Sequence, residues 1–165
     1  MTLNQEYRSW LLTVPEEITS DAIWTSTAYR LATFVSDRLW DDLGRLTADA
    51  RTIGMADQLG RAVRGIGASY TEGYSRRSGR DRCRYYEYSL GSAREARDWV
   101  FKARRVLGIE RANETLSILG RIIRLLTVTI VRERPSDSRK RSLGSRTTRH
   151  ASSHGTGDTA VTHEP

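Results

Sequence analysis

The sequence is short of cysteine, lysine, histidine and long apolar runs, and each shortage excludes something. Cys83 is the single cysteine in 165 residues, so neither an intramolecular disulfide nor a cysteine-built zinc site can form. No stretch of about 18 apolar residues occurs, which excludes a membrane-spanning helix. The opening Met-Thr-Leu-Asn-Gln-Glu lacks a cationic start followed by an apolar run, so no secretory signal and a cytoplasmic location are expected. The only histidines are His150, His154 and His163, too widely spaced for a defined metal site. A di-metal carboxylate bundle would need a Glu-x-x-His helix pattern, and none is present. No nucleotide-cradling glycine motif and no credible strand pair occur either. No cofactor is expected.

What is present supports one ordinary domain with a tail. An apolar fraction of 38%, with four Trp and seven Tyr, suffices for a modest core and excludes a wholly disordered chain. The net charge is +7, and all 27 cations are Arg except Lys102 and Lys140. The charge is unevenly distributed. Residues 1–57 carry 5 cations and 9 anions, a balance of −4, whereas residues 58–105 carry 12 and 5, a balance of +7. Residues 106–133 add +1 and residues 134–165 add +3. A basic stripe on a folded element can follow a phosphate backbone, releasing condensed counterions as it binds. Exposed arginines can equally be solvated or paired with nearby carboxylates.

Apolar spacing predicts four long helices. An N-terminal segment, residues 1–20, holds Trp10, Leu11 and Leu12 before Pro15 and reads as a short docking turn or helix. Ser20-Asp21 is a plausible N-cap. From there Trp24, Ala28, Leu31, Val35, Leu39, Leu43 and Leu46 predict one helix of about 25 residues, with Asp37, Asp41 and Asp42 on its solvated face. Gly54 is expected to break it before a second stripe, Met55, Leu59, Ala62, Ile66 and Tyr70. Gly60, Gly65 and Gly67 in that stripe predict close approach by a neighbouring helix. Gly73 and the run Ser75-Arg76-Arg77-Ser78-Gly79 read as a helix end and connector. A third helix is predicted from Arg80 or Asp81 to Leu107, ended by Gly108. A fourth is predicted from Ala112 to Arg132, with two apolar seams. The wide apolar surface of the fourth points either to another subunit or to deep burial in one bundle. Pro135 marks the start of a Ser/Thr/Arg/His tail expected to be disordered. The expected fold is all-α, an up-down-up-down four-helix bundle over residues 21–133 with a disordered tail over 134–165.

The segment Gln58-Leu59-Gly60-Arg61-Ala62, then Ser69-Tyr70-Thr71-Glu72-Gly73, Tyr85-Tyr86 and Gly91-Ser92 with Glu95 resembles the "four helix bundle protein" family. That family includes proteins encoded in intervening sequences of large-subunit ribosomal RNA genes and the accessory variability determinant of diversity-generating retroelements. Ser69-Tyr70-Thr71 stands where the family has Asn-Ile-Ala, Gly65 where Ser is common, and Arg82 where an aromatic is usual. The resemblance implies a homopentameric assembly of bundles. For the retroelement accessory it also implies a basic surface that meets nucleic acid and a reverse transcriptase.

With the resemblance in view, the candidate nucleic-acid surface is Arg61, Arg64, Arg76, Arg77, Arg80, Arg84, Arg94 and Arg105, interleaved with Tyr74, Tyr85 and Tyr88. The spacings Asp98–Lys102 and Asp81–Arg84 would neutralise part of the charge. Tyr85 and Tyr86 read as packing residues. Glu72, Gly73, Gly91, Ser92 and Glu95 are the structural motif. Glu72 and Glu95 could act as an acid–base or metal-binding pair, but hydrogen-bonding or pairing with an Arg such as Arg61 is the stronger reading. Cys83 between two arginines is read as an ordinary small helix residue rather than an activated thiol. These residues point to a non-enzymatic, homo-oligomeric bundle that binds RNA or DNA as an accessory protein, with a retroelement reverse transcriptase as one partner. The competing expectation is a protein-interaction scaffold of the same fold.

Overall fold

Apolar residues three and four apart bury one face of each helix, and in the computed structural model those faces meet around a single core. The structure describes residues 2–134. The predicted tail lies outside the described residues beyond Arg134, as do all three histidines.

Helix α1 spans Leu3–Leu11 and opens with a capping box in which Thr2 and Gln5 satisfy each other's backbone N–H. A short α2, Glu16–Thr19, follows Pro15, and a 3-10 turn covers Ala22–Thr25. The bundle is then built from α3 (Thr27–Arg38), α4 (Trp40–Ala48), α5 (Ile53–Tyr74), α6 (Gly79–Leu107) and α7 (Ile109–Glu133). Helices α3 and α4 form the first column. Consecutive columns pack against each other, and α3 against α7 closes the ring, the up-down-up-down order that short connectors impose.

Three boundaries differ from the sequence expectation. Asp21 does cap, accepting from the Ile23 N–H, but what it caps is the 3-10 turn; Ser26 caps α3. The first column is then divided at Leu39, where α3 ends and α4 starts. The stripe Leu31, Val35, Leu39, Leu46 runs through the break without interruption, so apolar spacing carries no sign of it. Gly54 lies inside α5, and the break is the Asp49–Thr52 turn, where the Thr52 hydroxyl donates to the Leu46 carbonyl at 2.8 Å. At the far end of α6, Gly108 adopts φ +88, a conformation that only glycine takes without strain, and α7 follows at once.

Leu39, Leu46, Leu59, Ile66, Leu119, Ile122 and Leu126 form the fully buried centre. The α5–α6 contact is close because small residues line it. A Cβ on Gly65 would stand 2.9 Å from Ser92 Oγ, and one on Gly73 would stand 2.9 Å from the Tyr86 ring. Gly73 is thus a packing position in the last turn of α5, which ends at Tyr74 where the sequence places the helix end. Gly67 faces open space, against expectation. Most of both seams of α7 is covered within the chain: Ile118, Leu119, Ile122, Leu126 and Ile130 are buried, and the half-buried Leu116, Ile123 and Leu125 pack against the core.

Helix α1 docks on α3. Tyr7 and Trp10 pack on Phe34 at ring separations of 5.0 and 5.2 Å, and Trp10 Nε1 donates to Asp37 at 2.9 Å. Beneath it Arg38, its side chain wholly buried, pairs with Glu6 and Glu114 and donates to Thr115 Oγ1. Arg111 pairs with Glu6 and with Asp42. Asp42 is 1% exposed, so its predicted place on a solvated face is corrected: two arginines, Arg45 and Arg111, draw it inward.

Candidate nucleic-acid interface

The turn between α5 and α6 is braced from inside. Ser78 Oγ accepts from the Asp81 N–H at 3.1 Å and so caps α6. Arg82 Nη1 donates to the carbonyls of Arg76 and Arg77 at 3.2 and 3.1 Å, while its Nε donates to Glu133 at 2.7 Å. Donating to the Glu133 carboxylate raises the Arg82 pKa further. Holding both carbonyls inward leaves Arg76 and Arg77 on the outside. The sequence marks Arg82 only as a departure from a family aromatic; its bracing role depends on the end of α7, 51 residues away.

Around this turn the cations and rings interlock. The Arg76 guanidinium lies 4.7 Å from the Tyr85 ring centroid, and its Nη2 donates to Tyr85 Oη at 3.0 Å. Arg84 lies over Tyr85 and Tyr88 at 5.6 and 5.9 Å. The two tyrosines meet edge to face, 5.7 Å apart. Tyr85 is therefore half-buried among cations, whereas Tyr86 is in the core, stacked on Tyr70 at 4.9 Å. Burial pushes the Tyr86 phenol up to about 12. Tyr74, predicted to join the cluster, makes none of these ring or cation contacts among the described residues.

All eight candidate arginines are exposed. Arg61 pairs with Asp57, and Arg76 with Glu72, each one helical turn away. Among the described residues no carboxylate lies within ion-pair distance of Arg64, Arg77, Arg80, Arg84, Arg94 or Arg105. On α6, Arg80, Arg84, Arg94 and Arg105 fall within about 40° of one line. They do not form one cluster. Arg80 and Arg105 lie about 37 Å apart along the axis, and the ion pairs Glu87–Arg134 and Asp98–Lys102 interrupt the stripe between them. The expected Asp81–Arg84 pair is absent; Asp81 accepts from Ser78 instead.

The motif residues resolve into separate tasks. Glu72 holds Arg76, and Glu95 accepts from Trp99 Nε1 at 3.3 Å, so neither meets Arg61. The register set by Gly65 against Ser92 and Gly73 against Tyr86 puts Glu72 and Glu95 about 13 Å apart along the axis, too far to share a proton or an ion. Ser92 packs on Gly65. Gly91 is exposed, and a Cβ there would meet nothing within 4 Å, so packing within one chain does not require it. Cys83 is buried, its Sγ 3.5 Å from the Ile130 carbonyl, and burial pushes its thiol up rather than activating it. No cluster of three His, Cys, Asp or Glu side chains able to hold a metal occurs among the described residues. No described helix is long and apolar enough to cross a membrane.

Fold and surface together define an all-α helical-bundle protein with an arginine–tyrosine end. The 23S rRNA-intervening sequence protein family matches residues 25–128, and the chain belongs to that family. The match runs from the start of α3 through most of α7, taking in the whole α5–α6 turn and leaving α1 outside. No curated protein and no solved structure matches the chain.

Proposed function

We propose that this chain is a non-enzymatic nucleic-acid-binding protein that grips the phosphate backbone at its α5–α6 end. The observation that carries the reading is the set Arg77, Arg80 and Arg84, exposed and, among the described residues, without a carboxylate partner, at a turn braced by Arg82. A guanidinium bridges two phosphate oxygens, and a preformed turn loses little entropy on binding. The family's tie to intervening sequences of ribosomal RNA supports RNA as the polyanion. Resemblance to the retroelement accessory protein extends the proposal to a cytoplasmic homo-oligomer, a pentamer, that presents nucleic acid to a reverse transcriptase. Glu72 and Glu95 are assigned structural roles because they do not converge.

Fluorescence anisotropy with a labelled oligonucleotide over a salt series tests this. Affinity falls steeply with salt, and replacing Arg76, Arg77 and Arg80 together by Ala flattens the log–log slope by about 2. Absence of binding at low salt, or an unchanged slope in the triple variant, refutes it. A second reading, a protein-interaction scaffold, is favoured by Trp40 and Val131, apolar yet 74% and 68% exposed. Light scattering with and without the oligonucleotide separates the two by mass.

A further inference from the structure

We infer that the α5–α6 end takes single-stranded nucleic acid in preference to duplex, with an unstacked base lying on the Tyr88 ring beside the Arg84 guanidinium. The inference rests on the backbone-binding reading above and names the form of its ligand. Tyr88 is 52% exposed on a helix whose neighbouring turns carry unpaired cations. It plays no part in the core, so packing does not account for a large ring there. It is nonetheless held: its ring meets Tyr85 at 88°, and Tyr85 is fixed in turn by the Arg76 hydrogen bond and guanidinium. Arg84 spans both rings. Arg80, Arg84 and Tyr88 follow one another at four-residue steps, about 6 Å apart along α6, so phosphate-binding groups lead directly onto an aromatic face.

A duplex offers such a surface only phosphates, because its base faces are stacked on one another. A single strand offers phosphates and free base faces together, which is the combination of partners this line of side chains provides. A ring used only for protein packing would not need cations unpaired on the adjoining turns.

The test is anisotropy with the full chain, a labelled single strand and the duplex of the same sequence, in RNA and DNA versions at one salt concentration. The single strand binds more tightly than the duplex. Tyr88→Ala weakens the single strand roughly five-fold or more, with duplex affinity and the salt slope unchanged. Tyr88→Phe, which keeps the ring, retains affinity. Thermal melts confirm that both variants fold. Equal affinity for strand and duplex, or an equal loss for both in Tyr88→Ala, overturns the inference while leaving backbone binding in place. Absence of binding to either probe at low salt brings down both readings.

Discussion

The Arg38 side chain has no exposure, and three groups meet its guanidinium. Its guanidinium reaches Glu6 at 3.0 Å, Glu114, and Thr115 at 2.5 Å, while Arg111 Nη2 donates to its backbone carbonyl at 2.7 Å. Burying such a network gains little net stability, since desolvation offsets most of the attraction; removing one member, however, leaves a partner uncompensated. Here Glu6 keeps Arg111 and Glu114 is partly exposed, so Arg38→Ala is expected to lower unfolding free energy by about 1.5–3 kcal/mol, the loss of charge-assisted hydrogen bonds, read from urea titrations. An effect below about 1 kcal/mol would mean that water replaces the guanidinium there. The same network fastens α1, because Glu6 comes from that helix.

Helix pairing turns on which glycines face a neighbour. Gly73 admits the Tyr86 ring between α5 and α6, so Gly73→Ala drives a methyl into ring atoms at 2.9 Å and a Tyr85 Cβ at 3.0 Å. A loss of about 1–3 kcal/mol is expected, the usual cost of overpacking. Gly67, two residues from Gly65 and so on the opposite side of α5, meets nothing within 4 Å, so Gly67→Ala gains about 0.5–1 kcal/mol from helix propensity. Opposite shifts in melting temperature for the two variants check the register directly; shifts of the same sign would contradict it.

Across the whole molecule, the charge imbalance is reorganised by folding. The first 57 residues carry −4, yet Glu6 and Asp42 face Arg38, Arg45 and Arg111, so part of that negative charge is neutralised internally. The basic middle segment is distributed along a column about 37 Å long, with its unpaired cations densest at the turn. Arg94→Ala with Arg105→Ala is accordingly expected to leave affinity for a short oligonucleotide nearly unchanged. Replacing Arg77, Arg80 and Arg84 together abolishes it at moderate salt. Comparable losses in the two sets, measured by anisotropy, would show that the whole α6 stripe is used.

The sequence by itself determined the helices, the end of α6 at Gly108 and the eight exposed arginines. Helical periodicity is a local property: a stripe at three- and four-residue steps is written within one segment and is read without knowing its neighbours. It could not reveal the break at Leu39, because the buried stripe continues through it. It placed Asp42 in solvent and all three α5 glycines against a neighbour, because the angular position on a helix does not say what arrives opposite. Tertiary structure decided that Gly65 and Gly73 are contacts and Gly67 is not, that Arg82 braces the turn, and that Glu6 and Asp42 meet Arg111. Those outcomes depend on partners distant in the chain, 69 residues for Arg111 with Asp42 and 105 for Arg111 with Glu6, which only the closed bundle brings within hydrogen-bonding reach.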